Sequence, residues 1–229
     1  MDELILADQQ LFLTLNGSDS IWLDNCFLMI TKTGVWIPMI IVLLYILLKN
    51  RPWREVLLFV VLLAMVVFIS DRFSSGFCKP FFQRLRPSHE PSLEGLIDLV
   101  EGRRGGLYGF ISSHAANTFG AFAFVSLYFR RWGMTLTLFF WACLSSYSRI
   151  YLGLHYPGDI LAGALCGCLV GMLCYFLLCR VAIWLHLEDH PSTLLGYRCN
   201  PKGIETKDER LFASSLGITL CFMALYALL

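Results

Sequence analysis

Three short stretches, KPFFQRLRP at 79–87, ISSH at 111–114 and SRIYLGLHYPGD at 148–159, gather polar residue types in an otherwise apolar chain. They hold the cations Lys79, Arg86 and Arg149, the hydroxyls of Ser112 and Ser113, the imidazoles of His114 and His155, and the carboxylate of Asp159. Three cations with hydroxyls and backbone N–H groups can grip a multiply charged anion through charge-assisted hydrogen bonds. Imidazoles are the side chains best suited to moving a proton near neutral pH, and a carboxylate beside one of them can fix its tautomer. The chemistry such a set suits is phosphoryl transfer, in which charge spreads over oxygens and catalysis is mostly clamping and positioning.

The elements that must position these residues are membrane helices. Of the 229 residues 57% are hydrophobic and only 15% charged, against roughly 45–50% and 25% in a soluble domain. The formal charge of +1 leaves no field for recruiting polyanions, which excludes a basic nucleic-acid binder. Most of the nine cysteines lie inside apolar runs without metal-ligand spacing, so they read as small packing residues, with no disulfide and no metal. The fold class is all-α, a polytopic helix bundle in a single domain over 1–229, with no internal repeat.

Six charge-poor runs approach the roughly 20 residues needed to cross about 30 Å of hydrocarbon. The first ends before Lys49. The others are Val56 to Ser70, Leu107 to Phe129, Trp132 to Ser148, Ile160 to Cys179 and Leu211 to Leu229. Residues 1–20 lack the basic stretch of a signal peptide; Leu4, Ala7, Leu11 and Leu15 recur at helical spacing, which predicts an interfacial helix. Basic residues at 49–54, at 130–131 and in the loop 186–210 place those connections in the cytoplasm. Both termini, the long loop 72–106 and the connection 148–159 then face outward, and all three polar clusters meet at one membrane surface. Lys79 and Arg86 lie seven residues apart before Pro87, two turns on one face if that stretch is helical. Pro157 at a first helical position makes Tyr156 a helix cap and puts Asp159 in the first turn.

These residues resemble the type 2 phosphatidic acid phosphatase superfamily of integral membrane lipid phosphatases. Lys79, Arg86 and Pro87 reproduce its Lys, six residues, Arg, Pro motif. Ser112, Ser113 and His114 are similar to its Pro-Ser-Gly-His, with Ile111 in place of the proline and Ser113 in place of the glycine. Ser148, Arg149, His155 and Asp159 fit its third motif. The resemblance, with the pattern of spans, covers residues 26 to 185.

The resemblance implies, in agreement with the residue types, that Lys79, Arg86, Arg149, Ser112 and Ser113 bind the phosphate without a metal ion or other cofactor. His155 would attack phosphorus, Asp159 would hold its other ring nitrogen, and His114 would protonate the departing oxygen. The partners are then the lipid bilayer and a membrane lipid phosphate. The compact plan with an outward site looks most like bacterial undecaprenyl diphosphate phosphatases of that superfamily, in the inner membrane with the site facing the periplasm or exterior. Alternatives are a lipid A phosphatase, a phosphatidylglycerophosphate or phosphatidate phosphatase and, from another class, a noncatalytic lipid-phosphate binding or transport protein.

Overall fold

The computed structural model describes residues 2–185, 187 and 204–228; most of the loop expected at 186–210 lies outside them. Among the described residues nine α-helices follow one another: α1 (Asp2–Leu15), α2 (Ile21–Ile30), α3 (Ile37–Asn50), α4 (Trp53–Asp71), α5 (Lys79–Phe82), α6 (Ser113–Phe129), α7 (Trp132–Tyr151), α8 (Pro157–Trp184) and α9 (Thr206–Tyr226). The described residues form no strand, only an isolated antiparallel bridge between Leu85 and Tyr108. The all-α class is therefore the observed one.

Among the described residues three helical runs are long and apolar enough to cross a membrane: Thr33–Asn50, Trp53–Phe82 and Pro157–Trp184. The second is continuous because a π-helical segment, Arg72–Cys78, joins α4 to α5. The remaining expected spans fold as α6, α7 and α9, of 17, 20 and 21 residues, in the same bundle. Three boundaries need correction. Residues 107–112 are not helical, and α6 starts at Ser113. Helix α9 starts at Thr206, five residues ahead of the apolar run, because its first turn carries the charged Asp208 and Glu209. The stretch from Lys79 to Arg86 is not two helical turns either. Gln83, at φ 48° and ψ 28°, ends α5 in the left-handed conformation, and Arg86 sits on extended chain.

The helix pair that carries the site is α6 against α8, and its closeness comes from glycines. Gly163, Gly167 and Gly171 lie four apart on one face of α8. A Cβ on them would stand 2.5 Å from the Ser112 carbonyl oxygen, 2.1 Å from that of Ala116 and 2.4 Å from that of Gly120. Small residues at this spacing let two membrane helices meet backbone to backbone. Below them Phe59 of α4 packs on Phe124, Tyr128 and Phe129 of α6, at the centre of the largest apolar cluster.

Helix α1 lies across the site end of the bundle. The leucines expected as its apolar stripe, Leu4 and Leu11, are exposed, while Phe12 is buried edge-on to Tyr156 at 5.5 Å between ring centroids. The leucines thus form an outward row over an inward Phe12 and a mostly buried Asp8.

Candidate active site

Helix α7 ends at Tyr151, and the chain doubles back so that the N–H groups of Leu154 and His155 both reach the Arg149 carbonyl, at 2.9 and 3.2 Å. This turn sets His155 beside the start of α8. Tyr156 is the N-cap and Pro157 the first helical residue, and Asp159 Oδ2 accepts the Tyr156 N–H at 3.1 Å. His155 and Asp159 are buried, with His155 Nδ1 3.4 Å from Asp159 Oδ2. A carboxylate only accepts, so this bond assigns the ring proton to Nδ1 and leaves Nε2 with its lone pair. Burial pushes the His155 pKa down to about 4, opposed by the hydrogen bond and charge of Asp159 and reinforced by Arg86 and Arg149. The imidazole is neutral at physiological pH, as a nucleophile must be.

Gly109 shows how tightly these groups are gathered. A Cβ there would lie 3.0 Å from Asp159 Oδ2, 3.2 Å from Arg86 Cγ and 3.6 Å from His155 Nδ1. Arg86 is buried, its Nε donating to the Tyr108 carbonyl at 3.2 Å and its Nη1 reaching the Leu154 carbonyl at 3.5 Å. Burial lowers its pKa, partly offset by Asp159. Gly105 packs on the same guanidinium, with 2.8 Å between a hypothetical Cβ and Nη1.

Lys79 comes to the site from the other side. The π-helical segment delivers it at the start of α5, where Nζ donates to the Ser113 hydroxyl at 2.8 Å and to Ser75 Oγ at 3.3 Å. The two hydroxyls are 2.9 Å apart. Ser113 thus offers a side chain, as well as a backbone N–H, where the family pattern has glycine. Ser112 caps α6, its hydroxyl accepting from Ala115 N at 3.4 Å, and its own N–H donates to the Asp159 carbonyl at 3.1 Å. Arg149, in the last turn of α7, donates through Nη1 to Thr31 Oγ1 at the end of α2, while its buried Nε has no hydrogen-bond partner among the described residues. His114, in the first turn of α6, places Nε2 2.9 Å from Ser145 Oγ. Beneath it a cavity of about 290 Å³ opens between α3, α4, α6 and α7, lined by apolar side chains such as Met39, Leu63 and Trp141.

All eight residues singled out in the sequence stand at one end of the bundle, and Lys79, Arg86 and Arg149 are near enough to act on one another's charges. Among the described residues no three His, Cys, Asp or Glu side chains gather as metal ligands would. Four neighbours were not legible beforehand: Ser75, Ser145 and Thr31, which hold Lys79, His114 and Arg149, and Arg84, which holds Asp159. Arg84 alone had a signal, an arginine two residues before Arg86, since alternate residues of extended chain share a side.

The sequence matches the PAP2 superfamily over residues 55–180, a stretch that contains every one of those eight residues. It is 43% identical over 171 residues to a lipid A 4'-phosphatase of Bacteroides thetaiotaomicron, covering 74% of this chain and 76% of that protein. A lipid A 4'-phosphatase of Porphyromonas gingivalis is 39% identical over 198 residues, 85% of this chain and 84% of that protein. The crystal structure of Aquifex aeolicus LpxE is similar with a TM-score of 0.54 and 26% identity, over 72% of this chain and 93% of that one. Both curated relatives are thus named for lipid A, whereas the plan of spans had put undecaprenyl diphosphate first. With apolar helices of spanning length and this degree of likeness, the chain belongs to the PAP2 superfamily and is a membrane lipid phosphate phosphatase.

Proposed function

We propose that the chain removes the 4'-phosphate of lipid A by way of a phosphohistidine on His155. The observation that carries the chemistry is the His155–Asp159 contact, which occupies Nδ1 and leaves the Nε2 lone pair on a ring that feels the charges of Arg86 and Arg149. His155 Nε2 attacks phosphorus as the bond to the sugar oxygen breaks, and His114 gives that oxygen its proton. Water, deprotonated by His114, then attacks the phosphohistidine and releases phosphate, restoring both imidazoles. The three cations and the N–H and hydroxyl of Ser113 neutralise the charge that grows on the phosphoryl oxygens.

The choice of lipid A over undecaprenyl diphosphate is supported by the two curated relatives, which align over most of this chain. The apolar cavity under His114 is suited to an acyl chain of the lipid whose phosphate sits above it. An exterior or periplasmic site is supported by the basic residues at 49–54 and 130–131, which cap the opposite ends of the helices. The test is phosphate release in detergent, with excess chelator, from lipid A, undecaprenyl diphosphate, phosphatidylglycerophosphate and phosphatidate. Fastest release from lipid A, with the product lacking its 4'-phosphate by mass spectrometry, is the expected result. Faster hydrolysis of undecaprenyl diphosphate, or a requirement for added magnesium, would overturn the reading.

A further inference from the structure

Arg84 stands among the cationic residues of the KPFFQRLRP stretch yet is not arranged to bind an anion. Its Nη1 donates to Asp159 Oδ1 at 2.9 Å and its Nη2 to Asp8 Oδ2 at 2.7 Å, so two carboxylates occupy the guanidinium. Its Cζ lies over the ring of Tyr156, 4.2 Å from the centroid. Among the described residues neither Arg86 nor Arg149 has a carboxylate partner, so their charges remain for a phosphate. Arg84's charge is already spent inside the protein.

The carboxylate of Asp159 is divided in consequence. Oδ1 belongs to Arg84, while Oδ2 serves His155 Nδ1 and the Tyr156 N–H. On the far side of Arg84, Asp8 also accepts the Gly158 N–H through Oδ1, at 2.8 Å, capping the start of α8 from another helix. A Cβ at position 158 would lie 2.7 Å from Asp8 Oδ2, so any larger residue there would push on the Asp8 carboxylate. A chain of contacts therefore runs from helix α1 through Asp8, Arg84 and Asp159 to His155.

We infer that Arg84, clamped by Asp8 of α1, is a positioning residue that aligns Asp159 on His155, and that α1 is a working part of the catalytic centre. The inference rests on His155 being the nucleophile. A guanidinium that bridges two carboxylates, giving one N–H to each, holds both at a separation set by its rigid fork, which a point charge cannot do. The cation also draws on the carboxylate and weakens its hold on the His155 proton. The other groups facing His155 are Arg86 and Arg149, which also disfavour its protonation, and His114.

The experiment compares Arg84→Gln, Arg84→Lys, Asp8→Asn and the double variant Asp8→Asn/Arg84→Gln in the full-length protein in detergent, on lipid A and on p-nitrophenyl phosphate. Arg84→Gln should lower kcat about ten- to hundredfold on both, the usual cost of losing a partner that orients a reacting group, with KM nearly unchanged. Its acid limb in kcat/KM should move to higher pH, because a carboxylate relieved of its cation holds the imidazolium more firmly. Arg84→Lys keeps a cation and should leave the acid limb in place while recovering part of kcat. Asp8→Asn should lower kcat as Arg84→Gln does, without the upward move of the acid limb because the cation stays, and the double variant should have a kcat no lower than Arg84→Gln alone. A rise in KM at constant kcat would make Arg84 a phosphate ligand, and a lowered melting temperature with kcat and acid limb unchanged would make it structural; either overturns the inference. Turnover by His155→Ala, run in parallel, would instead remove the nucleophile assignment on which it rests.

Discussion

His114 Nε2 and the Ser145 hydroxyl lie 2.9 Å apart, joining the first turn of α6 to α7 one turn before Arg149. Ser145 is buried, and its carbonyl separately accepts the Ser148 hydroxyl at 2.6 Å. The side chain therefore has one evident task, to hold the plane of the imidazole that we propose as the acid.

Ser145→Ala should then impair catalysis without unfolding the bundle. The Ser148 bond goes to a backbone oxygen and survives the change. A kcat about tenfold lower is expected on lipid A, with KM and the melting temperature in detergent close to the parent. Steady-state rates with a thermal melt on the same preparation check this.

The two histidines should separate by leaving group. His155→Ala removes the attacking nitrogen and should be inactive on every substrate. His114→Ala removes only the proton given to the departing oxygen, so its loss should shrink as that oxygen becomes a better leaving group. The ratio of variant to parent rate should be higher on p-nitrophenyl phosphate than on an alkyl phosphate. Equal losses on both would reverse the assignment.

The acid limb should reflect a depressed His155. Burial favours the neutral ring, so with a pKa of about 4 it stays unprotonated well below pH 6. An ordinary histidine of pKa about 6.5 would be only about a tenth neutral at pH 5.5. Activity that depends on this ring should persist at pH 5.5 and fail as pH approaches 4. Asp159→Asn removes the group that favours the imidazolium, so the limb should move further down even though kcat falls. A pH profile of the parent and the variant, on a substrate whose own ionisation is measured separately, decides it.

Gly167→Leu tests the packing beneath the site. Its Cβ would meet the Ala116 carbonyl oxygen at 2.1 Å, and a backbone atom cannot swing aside as a side chain can. The helices must part, at a cost near the upper end of the ~1–3 kcal/mol typical of overpacking. A lowered melting temperature and loss of activity together are expected, while Gly217→Leu, where a Cβ would meet nothing within 4 Å, should be tolerated.

Residue type and spacing were enough to single out Lys79, Arg86, Ser112, Ser113, His114, Arg149, His155 and Asp159, because each motif is short and its side chains are rare in an apolar chain. Pro157 likewise announced the start of α8, since its ring suits a first helical turn. The exit of α5 was less legible: Gln83 is not a glycine, and nothing local required its left-handed turn, so the chain from Lys79 to Arg86 read as continuous helix. The start of α6 misread for a related reason, since apolarity alone does not distinguish the non-helical residues 107–112 from the helix they precede.

Composition and motif order thus settle the class of the molecule, an all-helical membrane phosphatase, because hydrocarbon requires helices and phosphate requires cations. The partners that hold the site come from far along the chain: Asp8 to Arg84, Thr31 to Arg149, His114 to Ser145. Those pairings arise as α1 docks on the start of α8, α2 packs on α7 and α7 packs on α6, while glycines at 163, 167 and 171 draw α8 onto α6. Local periodicity carries no record of which distant side chains will meet, since that depends on how the helices pack.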